Sequence, residues 1–132
     1  MLQYQYKESM DHLKKKTLVL GASANPERYS YLAINRLHTA GHPVVAIGKK
    51  KSMVNGVEIT TDKPAANDID TVTLYLNPAN QKAYYNYILS LKPKRIIFNP
   101  GTENPELYDL AKANNIRPME ACTLVLLSTG QF

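Results

Sequence analysis

The feature that most limits what this chain can fold into is a regular alternation of short apolar runs with longer amphipathic ones. Thr17-Leu18-Val19-Leu20, Val44-Val45-Ala46-Ile47, Thr71-Val72-Thr73-Leu74-Tyr75-Leu76 and Arg95-Ile96-Ile97-Phe98 are each closed by Gly, Asn or Pro signals. Short β-branched or aromatic runs of this kind predict parallel strands buried on both faces. Between them, Tyr29 to Ala40 places Leu32, Ala33, Leu37 and Ala40 on one helical face, and Ala79 to Leu91 does the same for Ala83, Tyr87, Ile88 and Leu91. Gly41 and Pro93 stand where helix stop signals belong, and Pro105 where a third helix, running to Asn114, would start. A short strand around Arg117-Pro118-Met119 is expected next, and Cys122 to Ser128 is apolar enough for a buried helix or strand. Tyr6, Met10 and Leu13 recur at helical spacing and predict a helix over residues 5–14.

Strand and helix alternating in this way give an α/β fold: a three-layer sandwich around a mostly parallel, doubly wound sheet of about five strands. A chain of 132 residues, 44% of them hydrophobic, fills one core but not two. We expect residues 1–15 to be a helical extension and residues 16–132 the ligand-binding domain.

Composition removes several function classes. The single cysteine, Cys122, leaves no intrachain disulfide or Cys-rich metal site and suits a reducing compartment, so the cytoplasm is expected. No stretch approaches the ~20 apolar residues of a membrane span. The net charge of +5 favours anionic partners, but the nine tyrosines are scattered without a nucleic-acid-binding motif, so nucleic acid is not the expected partner. A small-molecule nucleotide is. The tyrosine pair Tyr84-Tyr85, if exposed, would suit a homodimer face.

Doubly wound sheets bind ligands beyond the carboxyl ends of their strands, which directs attention to the loops after Leu20, Ile47, Leu76 and Phe98. In the first loop, Gly21 allows a sharp turn and the small Ala22 and Ser23 allow a ligand to approach the main chain. The following helix would offer free N–H groups to a phosphate, with Arg28, Tyr29 and Ser30 at its start. The second strand ends in Ile47-Gly48-Lys49-Lys50-Lys51 rather than in the acidic residue that holds an NAD ribose. Lysines there favour a ribose phosphate, as in coenzyme A or NADP. The bland alternatives are a tight turn at Gly21 and a solvated lysine run.

With these residues on the page, the chain resembles the single-domain, Rossmann-like CoA-binding proteins related to the N-terminal domain of the succinyl-CoA synthetase α subunit. The resemblance runs from Lys16 to Leu127, through Gly21-Ala22-Ser23, Arg28-Tyr29-Ser30, Gly41-His42-Pro43-Val44-Val45, Val54-Asn55-Gly56-Val57, Asp70-Thr71-Val72 and Asn99-Pro100-Gly101-Thr102-Glu103-Asn104 to Ala121-Cys122-Thr123-Leu124-Val125-Leu126. It implies coenzyme A or an acyl-CoA as ligand, with Gly21, Ser23 and the helix at Arg28 facing the diphosphate and Lys49 or a neighbour such as Lys50 at the 3′-phosphate. It further implies that Leu76-Asn77-Pro78 flanks the adenine and that Asn99-Pro100-Gly101 borders the pantetheine path. Members often carry a proline beside the lysine, where Gly48 stands here. The synthetase also needs partner domains, one with a histidine that becomes phosphorylated; what carries over is binding, not ligation.

Catalytic candidates are few. His12, His38 and His42 are expected in helices or a turn away from the strand ends, and their spacing does not suit a metal. Glu103 and Asn104 read as helix-capping residues, and Glu120 has no visible acid–base partner. Cys122 reads as core packing, or as a thiol at a helix start able to form a mixed disulfide with CoA. An NADP-dependent enzyme and a ligand-regulated interaction subunit are the competing functional readings.

Overall fold

The computed structural model describes residues 14–132. The helix expected over residues 5–14, and with it nearly all of the N-terminal extension, lies outside the described residues. From Thr17 on, the chain forms β1 (Thr17–Ala22), α1 (Tyr29–Thr39), β2 (Val44–Gly48), β3 (Ser52–Val54), β4 (Val57–Thr60) and β5 (Thr71–Leu74). It continues with α2 (Pro78–Gln81), a 3₁₀ turn (Lys82–Tyr84), α3 (Tyr85–Leu91), β6 (Arg95–Phe98), α4 (Pro105–Ala113), β7 (Arg117–Glu120) and α5 (Thr123–Ser128).

The seven strands form one sheet in the order β3-β4-β2-β1-β5-β6-β7. All pairs are parallel except β3 with β4. The count exceeds the expected five because of that antiparallel hairpin. Its turn is Asn55-Gly56, both at positive φ (49° and 79°), the backbone that a two-residue hairpin turn requires. The chain lays β2 and β4 on one side of β1, then crosses back to lay β5, β6 and β7 on the other. Strand order therefore reverses between β1 and β5, where a doubly wound sheet opens a crevice at its carboxyl edge.

Side-chain alternation divides the core in two. Leu18, Leu20, Val72, Leu74, Ile96 and Phe98 pack with Ile88 of α3 and Leu107 and Ala111 of α4. Val19, Ala46, Val54, Val57 and Ile59 pack with Ile34 and Leu37 of α1 and with Leu127 of α5. The buried face of α1 is Ser30, Ala33, Ile34 and Leu37, a run at i, i+3, i+4 and i+7. Leu32 falls beside this stripe and is 37% exposed, and Ala40 is exposed, so the expected face was rotated. The helix expected from Ala79 to Leu91 is three pieces, and of its expected face only Ile88 is fully buried. Near the break, Gln81 is wholly buried, its amide donating to the carbonyls of Leu76 (2.9 Å) and Thr102 (2.8 Å). Tyr84 and Tyr85 are half-buried: Lys63 sits over the Tyr84 ring, and the Tyr85 hydroxyl accepts from Asn104. They do not form the exposed patch expected of them.

Candidate functional site

β1 runs through Gly21 by a register shift between Leu20 and Ala22 and passes through Ser23-Ala24-Asn25 into a turn at Pro26-Glu27. Gly21 has φ +88°, and a Cβ there would lie 2.7 Å from the carbonyl oxygen of Tyr75. Glycine is required both for the backbone and for the space. Its absent side chain lets the loops after β1 and β5 touch across the point where strand order reverses. β5 ends at Leu74, two residues earlier than the sequence suggests, and Tyr75 and Leu76 form the other wall of this contact.

Beyond Gly21 the loop is held by its own polar groups. Asn25 N–H donates to Ser23 Oγ (3.0 Å), Glu27 N–H to Asn25 Oδ1 (3.0 Å) and Arg28 N–H to the Asn25 carbonyl (3.0 Å). The Ser23 hydroxyl hydrogen remains able to donate. Arg28 is the N-cap of α1 but makes no capping side-chain bond, and no acidic residue lies in the first turn. The main-chain N–H groups of Tyr29 and Ser30 therefore have no acceptor among the described residues. Arg28 is exposed, Tyr29 is 72% exposed, and Ser30 is buried against the sheet. A helix start left open in this way attracts an anion.

On the β2 side, Gly48 ends the strand, and a Cβ there would overlap the carbonyl oxygen of Ala22. Lys49, Lys50 and Lys51 follow, all exposed, with no acidic partner within ion-pair distance among the described residues. On the β5 side, Leu76 is half-buried, and Asn77 caps α2 by accepting from Asn80 N–H (2.9 Å), with Pro78 as the first helical residue. After β6, Asn99 is buried while Pro100 and Gly101 are exposed. The structure thus brings the four expected loops to one edge, with the lysines on one side of β1 and the Leu76 and Asn99 segments on the other.

Sequence reasoning missed a buried polar network beneath these loops. Asn99 Nδ2 donates to Thr73 Oγ1 (2.7 Å) and the Leu74 carbonyl (2.8 Å), and its Oδ1 accepts from Thr123 N–H (2.8 Å). The Thr73 and Thr123 hydroxyls are 2.8 Å apart. Asn104 caps α4 as expected, accepting from Glu106 and Leu107 N–H, and donates to Gln81 Oε1 (2.9 Å). Glu103 does not cap; it accepts from Gly101 N–H (2.7 Å). The signal available in the sequence was polar residues inside otherwise apolar runs, namely Thr71 and Thr73 in β5.

Tyr75 lies beside this network. Its hydroxyl is buried and makes no hydrogen bond of good geometry among the described residues, although the Thr73 and Thr123 hydroxyls lie close enough to interact with it. Burial pushes its pKa up to about 12, outweighing the nearby Thr123 and Thr73 hydroxyls, and the Cys122 side chain adds to the rise. A phenol whose folded pKa is raised contributes stability in full below about pH 10 and loses it as pH climbs toward 12. The loss is about 2 to 3 kcal/mol. Urea unfolding between pH 8 and 12 should show this decline in the wild type and a shallower one in Tyr75→Phe; parallel curves would refute it.

Other candidates lie elsewhere. His38 is exposed in the last turn of α1. His42 stands before β2, at the opposite edge of the sheet, where its Nδ1 accepts from Lys15 N–H (2.9 Å) and its ring meets Phe132. Burial, Lys14, Lys15 and Arg95 all hold its pKa below the usual value. His12 lies outside the described residues. Cys122 is the half-buried N-cap residue of α5 and makes no capping side-chain bond. Among the described residues no group of His, Cys, Asp and Glu is placed to hold a metal, and no helix is long and apolar enough to cross a membrane.

A family model described as a CoA binding domain matches residues 15–128. No curated protein matches the chain. Among solved structures, one described only as an uncharacterized protein is 55% identical, with a TM-score of 0.87 over 90% of this chain and 98% of that one. A hypothetical protein from Pyrococcus horikoshii OT3 is 21% identical, with a TM-score of 0.80 over 92% of this chain and 89% of its own. A Thermus thermophilus protein is 20% identical, with a TM-score of 0.78 over 97% and 98%. The last two are similar to this chain in fold.

Proposed function

We propose that this chain, which belongs to the CoA-binding domain family, binds coenzyme A or an acyl-CoA across the β1–β5 crevice without carrying out catalysis of its own. The observation that carries the reading is the open start of α1 beside Gly21, at the strand-order reversal, with an exposed lysine run on the neighbouring strand end that has no acidic partner among the described residues. In this reading the diphosphate lies on the Tyr29 and Ser30 N–H groups with the Ser23 hydroxyl and Arg28, while Gly21 and Ala22 leave room for it. Lys49 and Lys50 approach the ribose 3′-phosphate, and Gly48 keeps their strand end against β1. Leu76, Asn77 and Pro78 flank the adenine, and the Asn99-Pro100-Gly101 turn borders the pantetheine arm. Binding without catalysis is supported by how the polar side chains there are used: Asn99, Gln81, Asn104 and Glu103 all bond within the chain. The reducing cytoplasm suits such a protein with one free thiol.

Isothermal titration with CoA, acetyl-CoA, NADP and NAD tests the reading. CoA or acetyl-CoA should bind more tightly than either dinucleotide; NADP binding tighter than both would favour an NADP-using enzyme. Lys49→Ala with Lys50→Ala should weaken CoA about five- to tenfold more than dephospho-CoA, with the gap shrinking as salt is raised. Equal losses for the two ligands would remove the lysines from the 3′-phosphate.

A further inference from the structure

We propose that the groove between α1 and α5 is the seat of this chain's own N-terminal segment, residues 1–13, docked there as an amphipathic helix. The groove, about 290 Å³, is lined by Asn35, Arg36, Thr39 and Ala40 on the α1 side and by Leu127 and Ser128 of α5. Leu32, one turn before Asn35 and Arg36, is 37% exposed, and Val125, one turn before Ser128, is 54% exposed. These two apolar side chains continue the walls toward the ligand edge. An apolar strip therefore runs along the seam of the two helices on the face opposite α3 and α4.

The place where the described chain begins selects the occupant. Lys15 N–H donates to His42 Nδ1 (2.9 Å) in the turn after α1, and the Lys14 ammonium donates to the Ala40 carbonyl (2.6 Å). The segment ahead of Lys14 is thus tethered at the Ala40 end of the groove, at an effective concentration on the order of millimolar, an advantage that a second copy of the chain lacks.

Length and charge agree with this occupant. Tyr6, Met10 and Leu13 recur at i, i+4 and i+7, which in a helix is a stripe about 10 Å long, and the α1 wall from Leu32 to Thr39 covers the same interval. A helix leading into Lys14 fits with Leu13 near Ala40 and Tyr6 near Leu32, running in the same direction as α1. Neither α1 nor α5 contains a carboxylate, and the exposed Arg36 has no acidic partner within ion-pair distance among the described residues. Residues 1–13 carry Glu8 and Asp11 against Lys7 as their one lysine or arginine. An exposed ion pair contributes little to stability, so the apolar stripe supplies the attraction and the charges favour one orientation.

Paramagnetic broadening in the full chain tests the proposal. A nitroxide on Ser9→Cys, in a Cys122→Ser background that leaves one thiol to label, should broaden the amide signals of Arg36, Thr39 and Ser128 severalfold more than those of Glu106 and Asp109 on α4, on the other face of the sheet. Equal broadening on both faces overturns the proposal. A mixture of spin-labelled chains with isotopically enriched, unlabelled ones separates the occupants: no broadening there assigns the segment to its own chain, and broadening retained there overturns the proposal in favour of a second copy. Hydrogen exchange needs no cysteine change. In the otherwise wild-type chain, Met10→Asp with Leu13→Asp should speed exchange of the Leu126 and Thr129 amides about tenfold while leaving the β1 and β5 amides as they were. Unchanged exchange in α5 would refute docking by the apolar stripe.

Discussion

Replacing Gly48 by alanine is expected to destabilise the protein by about 3 kcal/mol and to lower its melting temperature by on the order of 10 °C. The φ of Gly48 is not in the left-handed region, so the cost is one of space. An added methyl group would overlap the carbonyl oxygen of Ala22 and press on Ile59, and a main-chain carbonyl cannot rotate away as a side chain can. Relief requires the ends of β1 and β2 to part, beneath both the phosphate loop and the lysines. Ligand affinity should therefore fall along with stability. Gly101→Ala is the comparison: φ is +91° there with nothing near the new methyl, so only backbone strain of about 1 kcal/mol is expected. Thermal unfolding of the two variants decides the matter. A Gly48 variant no less stable than the Gly101 variant would mean that close strand approach is not what this glycine provides.

The second large effect is expected at Asn99, where alanine should cost about 3 to 4 kcal/mol. One substitution strips partners from the Thr123 N–H, the Leu74 carbonyl and the Thr73 hydroxyl together, at a residue only 3% exposed. Asn99→Asp sharpens the test. It keeps an oxygen for Thr123 but sets a buried carboxylate against the Leu74 carbonyl, which raises its pKa above the unfolded value. The folded state then holds the extra proton, so the deficit relative to wild type should be largest at neutral pH and shrink as pH falls through that raised pKa. A deficit that did not change with pH would show that the carboxylate escapes to solvent and that the network is not closed.

Much of this architecture was legible in the sequence because burial on both faces leaves a plain mark. β1, β2 and β6 are runs in which nearly every residue is apolar, and they begin where expected and end within two residues of it. The β3–β4 hairpin was not foreseen although Asn55-Gly56 is a strong turn signal, since strands of three and four residues are too short to show a period. The face of α1 was misjudged because Leu32 is more apolar than Ser30, yet Ser30 is the residue that points at the sheet. At the site, the loops were legible and the network beneath them was not. Hydrogen bonds between Thr73, Asn99 and Thr123 join residues 24 to 50 positions apart, and nothing local in the chain marks them as neighbours.

The two ends of the sheet set how copies of this protein can meet. β3, at one margin, is three residues long, and β7, at the other, carries Pro118, which has no N–H to offer an incoming strand. Neither margin is a good template for a further strand. Among the described residues, both borders of the sheet therefore disfavour pairing with a strand from another copy.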